Sequence, residues 1–240
     1  MPWPDFTELT FGYAYLRELE RRHAPGGSFP LAPDFISQND EAEKGYDVEV
    51  TLDGATPLFV QFKRSFVLTR STAKEVQDGT YSGPQVFRMN LHKRGAYRQH
   101  KALQRLEAAG SEVQYVTSQI YTRTEFVNAF SQERIISDAS AHFLPAEIVL
   151  PDYSKDHHVS FRAHDAYGYV YSEVGVPFTR AIANSDRWSA RVREQRRSYE
   201  DNLKSLEKAV QIMSRGGRRM SGLSRLIEGK PLEQKASILA

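Results

Sequence analysis

The chain contains no cysteine. That excludes a disulfide scaffold, a zinc or iron–sulfur site ligated by cysteine, and a thiol nucleophile. No apolar run approaches the ~20 residues that a membrane span requires, and the stretch up to Pro25 has no apolar signal-peptide core. A soluble, cytoplasmic protein with no membrane partner is therefore expected. An excess of one charge is missing too. The 32 basic and 30 acidic side chains leave a formal charge of +2, so the placement of charge matters more than its sum. Internal repeats and low-complexity tracts are also lacking. What is present is a 40% hydrophobic share over 240 residues. That supplies a sizeable core, argues against wholesale disorder and suits one large domain with or without an appendage.

Helical periodicity runs from Asp5 to Arg22, with Asp5 or Thr7 placed to cap its start and Pro25-Gly26-Gly27 to stop it. On a helical wheel Glu8 falls among Phe11, Gly12, Tyr15 and Leu19, which puts a carboxylate in the middle of the apolar stripe. Residues 26–44 carry proline, glycine and the acidic run Asp40-Glu41-Ala42-Glu43, and predict a loop. Two strand-like runs follow, Gly45 to Leu52 and Pro57 to Lys63, on either side of the hairpin pair Asp53-Gly54. By alternation Val48, Val50 and Leu52 face one side and Asp47 and Glu49 the other. Leu58, Val60 and Phe62 likewise alternate with Phe59, Gln61 and Lys63.

Further along, Pro84 to Leu91 predicts a strand, Gly95 to Ala109 a helix ending at Gly110, Glu112 to Ile120 a strand and Thr122 to Ser131 a short helix. This order implies an α/β fold, a mixed central sheet flanked by helices, over residues 1–180. His157 to Ala163 and Tyr167 to Glu173 predict a second hairpin, to which no chemistry attaches. Residues 181–240 form a charged helical extension and tail. Within it Tyr199, Leu203, Leu206, Val210 and Met213 make a short heptad seam. The seam serves either to dock the helix on its own domain or to join a second copy or a partner protein.

In the register that a short turn implies, Asp47, Gln61 and Lys63 project from one sheet face, and the first helix can lay Glu8 over it. Two carboxylates and an amide carbonyl are hard oxygen donors, suited to Mg²⁺ or Mn²⁺. A lysine beside them can orient or help deprotonate a water, or hold a phosphate by charge. On the later helix Gln99 is centred on the inward face with Ala102, Leu103 and Leu106, and His100 sits at the edge of that stripe. Each residue has a plainer alternative. Glu8 suits the helix dipole, Asp47 a strand entrance, Gln61 and Lys63 a solvated strand face, and Gln99 a buried amide tying down backbone. Glu49 is a second acid on the Asp47 face. His157 and His158, adjacent in a strand, point apart and make no metal pair.

Arg64, Arg70, Arg88, Lys93-Arg94, Arg98 and Lys101 supply positive charge that fits a polyanion. A second basic group, Arg191, Arg193, Arg196, Arg197, Arg215, Arg218 and Arg219, fits either a duplex backbone or a solvated helix face. No helix-turn-helix or zinc-finger signature supports base-specific reading.

Gly45-Tyr-Asp47 followed by Gln61-Phe-Lys63 and Arg64 resembles the core of the PD-(D/E)xK nuclease superfamily. It is nearest the variant with glutamine in place of the second acid, as in Mrr-like restriction endonucleases. The resemblance spans roughly residues 5–120. It implies a restriction-endonuclease-like core, with a mixed sheet between helices, and a Mg²⁺- or Mn²⁺-dependent phosphodiesterase acting on nucleic acid, DNA favoured. It further implies that Asp47, Gln61 and Glu8 are metal ligands and Lys63 the catalytic lysine, with Gln99, His100, Arg64 and Arg88 toward substrate. Arg88 to Ile120 is also similar to uncharacterised bacterial proteins linked to phage defence. A catalytically weak, nucleic-acid-binding or docking subunit is the alternative.

Overall fold

The computed structural model describes residues 3–23, 29, 32–37, 44–50, 57–172, 175–179 and 208. The Asp53-Gly54 turn, the boundary expected at 181, the heptad seam and the second basic group lie outside the described residues. Within them the fold is mixed α/β, as expected, but it carries two sheets instead of one.

The helices are α1 (Glu8–His23), α2 (Lys74–Gln77), α3 (Arg94–Ala108) and α4 (Arg123–Ser131). The strands are β1 (Asp34–Phe35), β2 (Val48–Val50), β3 (Leu58–Lys63), β4 (Ser65–Leu68), β5 (Val86–Leu91), β6 (Glu112–Ser118), β7 (Ser140–Phe143), β8 (His157–Phe161), β9 (Tyr167–Tyr171) and β10 (Gly175–Thr179). A π-helical turn at Ile135–Ala139 leads into β7.

The first sheet runs β1-β2-β3-β6-β7 and is mixed. The second runs β10-β9-β8-β5-β4 and is antiparallel throughout. Only Arg64 separates β3 from β4, so the chain changes sheet without a turn. Helix starts follow local chemistry. Thr7 caps α1 by accepting from the Thr10 N–H at 3.1 Å. Thr122 and Glu125 form a reciprocal capping box on α4.

Two compact units are defined, so far as their residues are described. One comprises Met1–Glu18, Phe62–Tyr97 and Tyr115–Trp188, the other Leu19–Gln61, Arg98–Gln114 and Ser189–Ala240. In the first, the whole second sheet packs aromatic rings such as Phe87 on Phe161, while Phe66, Leu68, Tyr81 and Val86 form an apolar cluster. Here α1 lies against Phe62. A Cβ on Gly12 would stand 3.2 Å from that ring, and Tyr15 meets it edge-on at 5.7 Å. Buried Glu18 accepts from the Ile135 and Ile136 N–H groups, which ties α1 to the π-helical turn. In the second unit β1 and β2 pair antiparallel, β2 pairs with the start of β3, and the Tyr46 and Phe59 rings pack together.

Helix α3 opens differently from the expected start at Gly95. Gly95, Ala96 and Tyr97 take left-handed angles (φ 62, 52 and 61°), and the regular helix begins at Arg98. For Ala96 and Tyr97 this conformation costs about 1–2 kcal/mol each. Tyr97 is anchored in it, because its buried hydroxyl donates to the Lys155 carbonyl at 2.6 Å and accepts from the His157 N–H at 2.8 Å.

Candidate active site

The β2–β3 register sets the site. Val48 lies opposite Val60, Glu49 opposite Phe59 and Val50 opposite Leu58. The Asp47 N–H continues this ladder by donating to the Val60 carbonyl at 2.9 Å, which carries Asp47 alongside Gln61. The side chains meet: Gln61 Nε2 donates to Asp47 Oδ2 at 2.7 Å. From α3, Gln99 Nε2 then donates to Gln61 Oε1 at 2.8 Å. A carboxylate and two amides thus form one hydrogen-bonded chain within the second unit.

The solvated-face alternative for Gln61 and Lys63 does not hold. All of β3 is buried, Gln61 to 1% exposure and Lys63 to 8%. Burying polar groups costs free energy unless they are partnered, and the amide chain provides partners for Asp47 and Gln61. Lys63 lies two residues beyond Gln61 in the same strand, so alternation puts it on the same face. The Gln99 amide reaches a side chain, that of Gln61.

The glycine of the Gly45-Tyr-Asp47 run has a definite job. Gly45 sits at φ +90°, and a Cβ there would lie 2.7 Å from the Gln99 main-chain carbonyl. The absent side chain lets α3 approach closely enough for Gln99 to bridge to Gln61.

The remaining expected residues differ in burial and partners. Glu8 is not covered in the way its place in the apolar stripe implies. It is the first residue of α1 and exposed, where the helix dipole favours an acid. The α1 residues Gly12 and Tyr15 pack on Phe62. A helical wheel fixes angle but not where along its axis a helix is covered, and the first turn of α1 is not. Burial on α3 is the reverse of the wheel: His100 is buried at 2% and Gln99 is half-buried. Glu49 is buried opposite Phe59, with the Tyr46 hydroxyl 3.5 Å from it.

Arg64 donates to the Pro4 carbonyl at 3.1 Å and stacks over Trp3 at 4.7 Å, so it secures the N-terminal segment. Arg88 is also committed. On β5 it donates through Nε and Nη2 to Oε1 of Glu75. The same oxygen accepts from the Ser160 hydroxyl at 2.9 Å and lies 3.1 Å from His158 Nε2. Burial pushes the Glu75 carboxyl up, but the bonds from His158 and Arg88 outweigh this and hold it at about 2. Burial drives the His158 imidazole below its ordinary value despite Glu75.

Glu75 has no signature in the sequence. It comes from a one-turn helix, while Arg88 and Ser160 are cross-strand partners on β5 and β8. As expected, His157 points away from His158, its Nε2 meeting the Asp152 carbonyl at 2.5 Å.

No family model matches the chain, and no curated protein or solved structure matches it. Among the described residues no helix is long and apolar enough to cross a membrane.

The donor set bears on Mg²⁺ or Mn²⁺. Among the described residues no three acids or histidines gather to hold a metal. The candidate donors are instead one carboxylate and amide carbonyls. In the structure an amide N–H faces Asp47, the arrangement that satisfies a carboxylate without a cation. Turning both amides end for end keeps the Gln99–Gln61 bond and brings the Gln61 carbonyl oxygen beside Asp47 Oδ2. The 2.7 Å separation there is close to the edge of about 2.9 Å in an octahedron with bonds of 2.0–2.1 Å. The residues fit a weakly held Mg²⁺ that relies on water and substrate oxygens for its remaining ligands.

Proposed function

We propose that the chain is a Mg²⁺- or Mn²⁺-dependent nuclease of the PD-(D/E)xK type, with a restriction-endonuclease-like core, acting on DNA. The observation that carries this reading is the cross-strand pair of Asp47 and Gln61 at 2.7 Å on a buried sheet face. In support, α1, the β2–β3 pair of the mixed sheet and α3 follow one another along the chain, and Lys63 follows Gln61 on the same face. Bound there, the metal would supply positive charge against a phosphodiester and acidify a water. Asp47 and the turned carbonyl of Gln61 would hold it, with Glu8 the further candidate ligand. Gln99 fixes which way the Gln61 amide points. The ammonium of Lys63 steadies the charge that develops on the phosphate oxygens and orients the attacking water.

Digestion of plasmid DNA by the purified chain in Mg²⁺ or Mn²⁺ tests this. Asp47→Ala and Lys63→Ala should each abolish cleavage. Cleavage retained by both variants refutes the assignment.

One observation favours a second reading. A single carboxylate in the donor set holds a metal weakly, which suits a nuclease-like subunit that binds nucleic acid and does not cut. DNA binding with no cleavage in any divalent ion would select it.

A further inference from the structure

A cavity of about 290 Å³ opens in the first unit where the chain leaves β4 and enters α2. Thr69, Arg70, Thr72, Lys74 and Arg88 supply its polar lining, and Leu68 and Ala73 its apolar wall. Among the described residues no carboxylate lines it. Arg70 and Lys74 are exposed, and neither has a counter-ion among the described residues. Arg88 is different. Glu75, fully buried, grips its Nε and Nη2, while Ser160 and His158 hold the same carboxylate. One guanidinium is therefore fixed at the cavity before any ligand arrives, with Nη1 not used by Glu75. Glu75 neutralises Arg88, which among the described residues leaves two positive charges uncompensated beside two hydroxyl donors.

We propose that this cavity binds the phosphate of a small phosphomonoester, a nucleoside monophosphate being the ligand class that fits. Two uncompensated cations match a phosphomonoester dianion, whereas a backbone diester carries one charge. Guanidinium, ammonium and hydroxyl donors are the groups that recognise phosphate. The volume lies at the small end of ligand pockets, about 300–1,000 Å³. Leu68 and Ala73 give an apolar surface for the carbon part of the ligand. None of these residues belongs to the Asp47–Gln61–Gln99 chain, so the site stands or falls apart from the nuclease reading.

Isothermal titration of the full chain with inorganic phosphate, deoxyadenosine monophosphate and deoxyadenosine tests it. Phosphate and the nucleotide should bind and the nucleoside should not. Arg70→Ala and Lys74→Ala alter exposed side chains, so the thermal midpoint should hold while each weakens the nucleotide about tenfold or more. Lys93→Ala, an exposed lysine outside the cavity, should change nothing. Absence of phosphate and nucleotide binding overturns the proposal. So does equal binding of the nucleoside, binding that survives the double variant, or displacement by duplex DNA as effective per phosphate as the nucleotide.

Discussion

Replacing Gly45 with alanine tests how the second unit is built, because two separable costs meet at that position. At φ +90° any residue with a Cβ is in the left-handed region, at about 1–2 kcal/mol. The new methyl would also lie 2.7 Å from the Gln99 carbonyl, 3.0 Å from Leu103 Cγ and 3.1 Å from Ala102 Cβ. The nearest of these is helix backbone and cannot rotate aside, so overpacking adds about 1–3 kcal/mol. Gly79 provides the matched control. It has φ +78° and nothing within 4 Å of its would-be Cβ, so Gly79→Ala bears only the conformational cost, about 1–2 kcal/mol.

Urea unfolding of both variants should therefore place Gly45→Ala about 1–3 kcal/mol below Gly79→Ala. Cleavage should fall in Gly45→Ala alone, since shifting α3 stretches the 2.8 Å bond from Gln99 to Gln61. Equal destabilisation of the two variants would show that α3 does not press on Gly45 and would remove the physical account of that glycine.

Gln61→Glu sets a second carboxylate beside Asp47. Without metal this should cost about 1–3 kcal/mol of like-charge repulsion, and Mg²⁺ should raise the melting midpoint more than in wild type; no metal-dependent shift in either protein would count against the donor set. Acid should destabilise in two stages. The His158 value is lowered from 6.5 by burial, so stability starts to fall as pH drops below that figure. Glu75, lowered from 4.5 to about 2, contributes fully above 4.5, and its share is lost as pH falls toward 2. Glu75→Gln should cost about 3 kcal/mol at neutral pH by leaving Arg88 without its counter-ion, and should flatten the lower limb of the pH–stability curve. An unchanged limb would show that the carboxylate is not held as described.

The residues that meet in the candidate site were legible because each sits in an element whose period dictates its direction. Alternation put Asp47, Gln61 and Lys63 on one face, and the pairing of β2 with β3 set Asp47 beside Gln61. The wheel centred Gln99 on an inward stripe, and its amide reaches Gln61. The capping box at Thr122 and Glu125 is likewise local and depends on neighbours three residues apart. Glu8 shows the limit of periodicity, which gives an angle around a helix but not how far along it the cover extends.

Local sequence determined the three longer helices, most strands and the chemistry of one β-hairpin face, since backbone period and turn residues act over a few positions. The second sheet was decided by tertiary structure. With only Arg64 between β3 and β4, no turn residue announces the change of sheet, and strand partners far apart in the chain complete it. The same holds for Glu75, Arg88, His158 and Ser160. They converge from three separate elements, and a carboxylate's burial depends on which surfaces fold over it, a quantity that no short stretch of sequence contains.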